Sequence, residues 1–228
     1  MRRYAMSTTE PFVPALRFHA LTGLYDPLMS FLVNEATLRS RTLELLRPEP
    51  GERVLDLGCG TGSLAVRLKQ EFPRVEVLGC DVDPGALGRA RRKAAGAGVS
   101  VRWCLGPAHD PPLPDRSVDL VTSTLLLHHL RTDGKRAALA AALRLLEPGG
   151  RLVLADFTRP SGVLRRIAFC GVRLLDGLAV TADHAAGRLA EIVESAGFER
   201  VTEAGRLDAP VGTVAFLTAS RRRDGTGA

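Results

Sequence analysis

The chain has 228 residues, 45% of them apolar, a formal charge of +6 and a pI near 9.7, which is enough to bury one substantial core and points to one α/β domain. Its basic residues are scattered apart from Arg89-Arg91-Arg92-Lys93, Arg165-Arg166 and Arg221-Arg222-Arg223; only three are lysines and many arginines stand beside carboxylates, so the charge reads as a solvated surface and not as a nucleic-acid-binding face. No apolar run approaches the roughly 18 residues of a membrane span, the start lacks the order of a signal peptide, and Cys59, Cys80, Cys104 and Cys170 show no C-x-x-C spacing, so the expectation is a cytoplasmic protein with reduced thiols used as small buried hydrophobes.

Residues 1–10 are polar and read as loose. Residues 12–46 carry a helical pattern interrupted at Gly23 and Pro27, giving two or three short helices, with Tyr25-Asp26-Pro27 at the break. A first strand is expected over 53–57, followed by a turn with glycines at alternate positions, Gly58, Gly60 and Gly62, and a helix whose Leu64, Leu68 and Phe72 share one face. Glycines there permit positive φ and expose main-chain N–H groups to a ligand. Their spacing is G-x-G-x-G and not the dinucleotide G-x-G-x-x-G, with Ser63 where the third glycine would stand. Asp56, two residues ahead of the first glycine, would repel a phosphate but attract an α-ammonium group. On these residues the chain resembles the class I S-adenosylmethionine-dependent methyltransferases at their first motif.

A second strand over 75–80 ends at Asp81, nineteen residues after Gly62, where a carboxylate can accept both hydroxyls of an adenosine ribose. Asp83-Pro84 is a cap and first-turn pair for the next helix. The third strand, over 100–105, runs into Gly106-Pro107-Ala108-His109-Asp110. Relatives in the resembled family carry an acid where Pro107 stands, so the resemblance leaves the adenine to the Ala108 N–H, with His109 or Asp110 taking the amino group. The cofactor set implied by the resemblance is Tyr25 facing the methionine end, Asp56, the loop at Gly58, Cys59, Gly60 and Gly62, Asp81 and Val82 after the second strand, Ala108, His109, and Ser123 at the end of the fourth.

Asp110-Pro111-Pro112-Leu113 looks like an amino-group methylase motif, but it precedes the fourth strand and lacks the aromatic ring, so it reads as a loop. That strand is expected over 118–123, followed by Leu127-His128-His129-Leu130 at the edge where open α/β sheets bind ligands. A histidine there can take a proton near neutral pH. An amphipathic helix over 135–146 stops at Pro148-Gly149-Gly150, and a fifth strand ends at Asp156, which could orient a histidine, hold a substrate donor or cap the next segment. His128, His129 and Asp156 are the candidate catalytic groups; no metal set is expected.

A helix over 162–178 would confine Arg165, Arg166, Arg173 and Asp176 to a narrow arc, leaving most of its circumference apolar: a substrate lid, a membrane-surface contact or a dimer contact. A last helix over 184–196 stops at Gly197, strands over 198–206 and 213–219 close the chain, and a tail over 221–228 is expected to be disordered. The resemblance, covering about 50–220, implies a doubly wound, mostly parallel seven-stranded Rossmann-like sheet with one antiparallel strand. Residues 1–47 would form a helical cap, 48–220 the cofactor-binding domain, and about 158–182 an inserted lid. It further implies methyl transfer to an O or C nucleophile of an apolar, aromatic or quinone-like small molecule, by a monomer or homodimer with peripheral membrane contact as a further option. A nucleic-acid methylase and a non-catalytic binder of the same cofactor are the rival readings, the first carried by the positive charge and the second by Pro107.

Overall fold

The computed structural model describes residues 34–163, 165, 167, 169–170, 180–210 and 212–224. Tyr25, the helices expected before residue 34, and most of the helix expected over 162–178 therefore lie outside the described residues. The chain enters through helix α1 (Glu35–Leu46), capped by Asn34, whose side chain accepts from the Thr37 N–H. It then alternates: β1 (Arg53–Leu57), α2 (Ser63–Glu71), β2 (Glu76–Asp81), α3 (Pro84–Gly96), β3 (Arg102–Leu105), β4 (Val118–Thr124), a 3₁₀ turn (Leu127–His129), α4 (Thr132–Leu145) and β5 (Leu146–Thr158). Two short helices, α5 (Ala182–Ala186) and α6 (Leu189–Ser195), precede the closing hairpin β6 (Glu199–Ala209) and β7 (Gly212–Ser220).

The strands form one sheet in the order β3-β2-β1-β4-β5-β7-β6. Pairs among the first five are parallel, and β7 runs antiparallel to both β5 and β6, which is the seven-stranded, one-reversed sheet expected. Strand order reverses between β1 and β4, so a crevice opens at their carboxyl ends. Central β1 is apolar on both faces because helices cover both. Leu55, Leu57, Leu78 and Val121 meet Leu139, Leu145 and Ile192 on one side; Val54, Val77 and Leu120 meet Leu43, Leu46, Leu64 and Leu68 on the other. A third cluster, Leu38, Phe157, Phe169, Val214 and Phe216, closes the β5–β7 end.

Four expectations are corrected. The helix read over 184–196 is two helices, broken where Gly187 takes φ 76° and ends α5 with its N–H on the His184 carbonyl. The Leu146–Gly150 stretch does not lie outside the sheet: Leu146 already pairs with Val118, and the strand continues past a bulge. Residues 221–224, expected in a disordered tail, are placed, with the Arg221 guanidinium donating to the carbonyls of Leu143, Arg144 and Leu146; residues 225–228 lie outside the described residues. The cysteines are free, but only Cys80 is buried; Cys59 and Cys104 are partly exposed and Cys170 is exposed.

Candidate functional site

Strand β1 delivers Asp56 to the crevice with 1% exposure, and neither carboxylate oxygen has a hydrogen-bond partner. Its register neighbour on β4 is Thr122, whose hydroxyl is also buried and unpartnered, as is that of Ser123. Burial, and then the nearby Asp81 charge, push the Asp56 carboxyl up to about 7. A buried polar group without a partner costs about 1–3 kcal/mol. Asp56 and Thr122, in register on adjoining strands, mark a place where a ligand supplies what the protein lacks, and Ser123 follows on the other face of β4.

The glycine turn wraps this place. The N–H groups of Gly58 and Cys59 donate to the Cys80 carbonyl at 2.8 and 3.0 Å, tying the loop to β2. The Gly60 N–H donates to Asp81 Oδ2 at 2.7 Å, and Asp81 Oδ1 accepts from the Asp83 N–H at 2.9 Å. Each Asp81 oxygen keeps further lone-pair capacity, and Asp56 and Asp81 are held around one loop. Asp83 caps α3 through the Gly85 N–H at 2.7 Å with Pro84 behind it, as its sequence position suggests.

The three glycines are not equivalent. A side chain at Gly58 would strike Leu126 at 2.8 Å, and one at Gly62 would strike the Trp103 ring at 2.5 Å and Ala90 at 2.8 Å. One at Gly60 would enter open space. All three have positive φ. Gly62→Ala therefore has to move Trp103 out of the core and is expected to cost about 2–3 kcal/mol. Gly60→Ala is expected to cost about 1 kcal/mol while weakening cofactor binding more than any other effect it has. Urea unfolding and calorimetry on the two variants check this contrast.

Val82 stands 40% exposed just beyond Asp81, an apolar side chain at the crevice rim. Ala108 packs against the core in a turn closed by the Asp110 N–H on the Pro107 carbonyl, whereas His109 and Asp110 are exposed. Trp103 and Lys93 are contributors that the sequence reading missed. Trp103 fills the space beneath Gly62 and Gly79, and Lys93 Nζ donates to the Thr61 and Ser63 hydroxyls on the loop's outer side. A lone tryptophan in a strand ending at the same sheet edge was the one signal available.

Past β4, Leu125 sits at φ 52°, costly for leucine, and its N–H donates to the Ala155 carbonyl. The reversal sets Leu126 over Gly58 and His128 against β5. His128 Nδ1 lies 2.8 Å from Asp156 Oδ1; the Phe157 N–H donates to that same oxygen and the Leu127 N–H to Oδ2. Burial alone would raise the Asp156 carboxyl, but the His128 charge and these hydrogen bonds hold it well below the usual carboxylate range. His129 stacks at 3.9 Å on His128, and burial followed by the His128 charge pushes it down to about 3. A fourth partner was missed: His184 on α5 lies fully buried with its ring 6.2 Å from that of His128. Of the candidate catalytic residues the structure thus brings all three together, with Asp156 fully engaged as an acceptor. Among the described residues no group of three or more His, Cys, Asp or Glu side chains could hold a metal. No described helix is long and apolar enough to cross a membrane.

Residues 54–150 match the family model of the methyltransferase domain. The chain is 37% identical over 158 residues to a demethylmenaquinone methyltransferase from Thermus thermophilus, covering 67% of this chain and 71% of that one. It is 32% identical over 209 residues to a ubiquinone/menaquinone biosynthesis C-methyltransferase, UbiE, from Stutzerimonas stutzeri, covering 81% and 80%. Its fold is similar to that of magnesium protoporphyrin IX methyltransferase from Synechocystis PCC 6803, solved with S-adenosylhomocysteine bound, with a TM-score of 0.65 at 22% identity over 85% and 86% of the two chains.

Proposed function

Because the chain belongs to the class I S-adenosylmethionine-dependent methyltransferases that act on small molecules, we propose that its acceptor is an apolar, quinone-like or phenolic ring methylated at carbon. The observation that carries the cofactor half of this reading is Asp56. A carboxyl buried with both oxygens unpartnered is held toward its neutral form, and the α-ammonium of the cofactor supplies the cation that favours the ionised one. The open side of Gly60 leaves room for the methionine end, Asp81 accepts the ribose hydroxyls, and Val82 and Ala108 flank the adenine. Gly58, Cys59 and Gly62 shape the loop, and Ser123 offers its unpartnered hydroxyl at the end of β4. His109, exposed on its turn, and Tyr25 complete the proposed set. The residues fit the group.

When bound, the cofactor supplies a sulfonium-activated methyl group. What remains for the chain is to align an acceptor, keep water out and handle one proton. Asp156 orients His128, the part a carboxylate already accepting from Leu127, Phe157 and the ring can play. His129, held far below its ordinary value, stays neutral at physiological pH. The acceptor class is supported by the relatives' names. Incubation with methyl-labelled cofactor and a reduced prenylated naphthoquinone lacking the ring methyl is expected to carry label into the lipid extract. Label entering only RNA or protein would remove this reading.

A further inference from the structure

His184 is fully buried, and its two ring nitrogens have opposite fates. Nδ1 lies 2.6 Å from the Phe157 carbonyl, which can only accept, so Nδ1 carries the hydrogen. In a neutral ring Nε2 is then a bare lone pair, and it has no partner. A ring turned to aim Nε2 elsewhere would give up the bond from Nδ1 to Phe157. Through its bond to Phe157, His184 lies at the carboxyl end of β5, on the sheet edge that also holds Asp56 and Asp81, with the His128 ring 6.2 Å away.

We propose that His184 Nε2 accepts the hydroxyl hydrogen of the methyl acceptor, which makes His184 a catalytic residue and selects hydroquinones and phenols over fully oxidised or O-alkylated rings. The inference rests on the acceptor class argued above. An unpartnered acceptor nitrogen closed off from water suits a ligand that brings one O–H to it. As the O–H bond breaks, the hydrogen passes to Nε2 and its electron pair moves through oxygen to the ortho carbon. That carbon forms the bond to the methyl group while the carbon–sulfur pair leaves with sulfur. The proton then returns to oxygen as the ring carbon releases its own hydrogen to solvent, so one proton is lost overall.

The charged form of His184 is disfavoured by burial and by Lys135, and favoured by Asp156, 3.9 Å from Nδ1; His128 opposes it, and Asp183 is paired with Lys135. The balance keeps the ring below the ordinary imidazole range and hence neutral in use. With S-adenosylmethionine saturating at every pH, so that the Asp56 titration does not enter, the wild-type kcat/KM for the acceptor should therefore stay level through neutral pH and fall only in acid.

The test uses the full chain, with His184→Asn, whose amide can still donate to Phe157, and His184→Gln as the second variant. Both should bind S-adenosylmethionine within about twofold of wild type by calorimetry, while the reduced demethyl-naphthoquinone is turned over about 100-fold more slowly and the acid limb disappears. Independently, in ¹⁵N-histidine wild type with S-adenosylhomocysteine, 1-naphthol should shift the His184 Nε2 resonance upfield and 1-methoxynaphthalene should not. Wild-type rates and pH profile in both variants, or a resonance indifferent to naphthol, overturns the proposal. A resonance that moves in an enzyme unable to methylate the quinol supports the hydroxyl site and instead removes that quinol as the acceptor.

Discussion

Asp56→Asn should bind S-adenosylmethionine about 100-fold more weakly, yet unfold at a higher urea concentration than wild type at pH 8. The loss is a charge-assisted contact to an ammonium, about 3 kcal/mol. The gain comes from the free protein, where the ionised carboxylate has no partner. The same group predicts the pH dependence of wild type. Its pKa is higher folded, about 7, than unfolded, near 3.8, so between those values the folded state holds more protons. The contribution of Asp56 to stability is then greatest at low pH, falls as pH rises from about 4 to about 7, and levels off above, spanning at most about 4 kcal/mol. Cofactor binding runs the opposite way, because the ammonium pairs with the ionised form. Affinity should rise about tenfold per pH unit below 7 and flatten above it, with a proton released on binding near pH 6. Calorimetry in buffers of different ionisation enthalpy reads that proton directly, and a pH-independent affinity would show that Asp56 does not face the ammonium.

The second large effect lies in a buried ion pair. Lys135 and Asp183 pair at 3.0 Å with side-chain exposures of 0% and 4%. Lys135 Nζ also donates to the Val180 carbonyl, while Asp183 accepts from Thr132 and Arg188 as well. Removal of one partner is therefore asymmetric. Asp183→Ala strands a buried ammonium and is expected to cost about 3–5 kcal/mol, whereas Lys135→Met leaves Asp183 with two other donors and should cost clearly less. Urea denaturation of both variants measures the difference; equal losses would mean that packing, not charge, sets the value. The network also holds α5 in place, so Asp183→Ala should slow methylation through the misplaced His184 ring before it unfolds the chain.

What was legible in the sequence was what local rules control. The glycine turn, Asp56, Asp81 and the Asp83-Pro84 cap follow from spacing and backbone conformation within a few residues, and the structure puts them where those rules require. The strand order was not contained in any window; the resemblance implied only a mostly parallel seven-stranded sheet with one antiparallel strand, and the order came with the structure. Lys135 illustrates the limit. As the first charged residue of an amphipathic helix it reads as solvated, and only Val180 and Asp183, 45 and 48 residues away, turn it inward. His184 likewise reads as the opening of a long helix, because Gly187 looks tolerable inside a helical pattern and Phe157, 27 residues earlier, gives no local sign of being its partner. Trp103 was passed over because its value lies in covering two glycines of other elements.

Arg221 comes one residue after the sheet has ended, and its guanidinium satisfies three main-chain oxygens where α4 gives way to β5. A chain trimmed at the last strand residue would lose these three bonds together with the Arg221 N–H bond to the Gly150 carbonyl of β5. The working end of the fold is thus set by Arg221 and not by the final strand, and a tag or partner protein is best joined downstream of it.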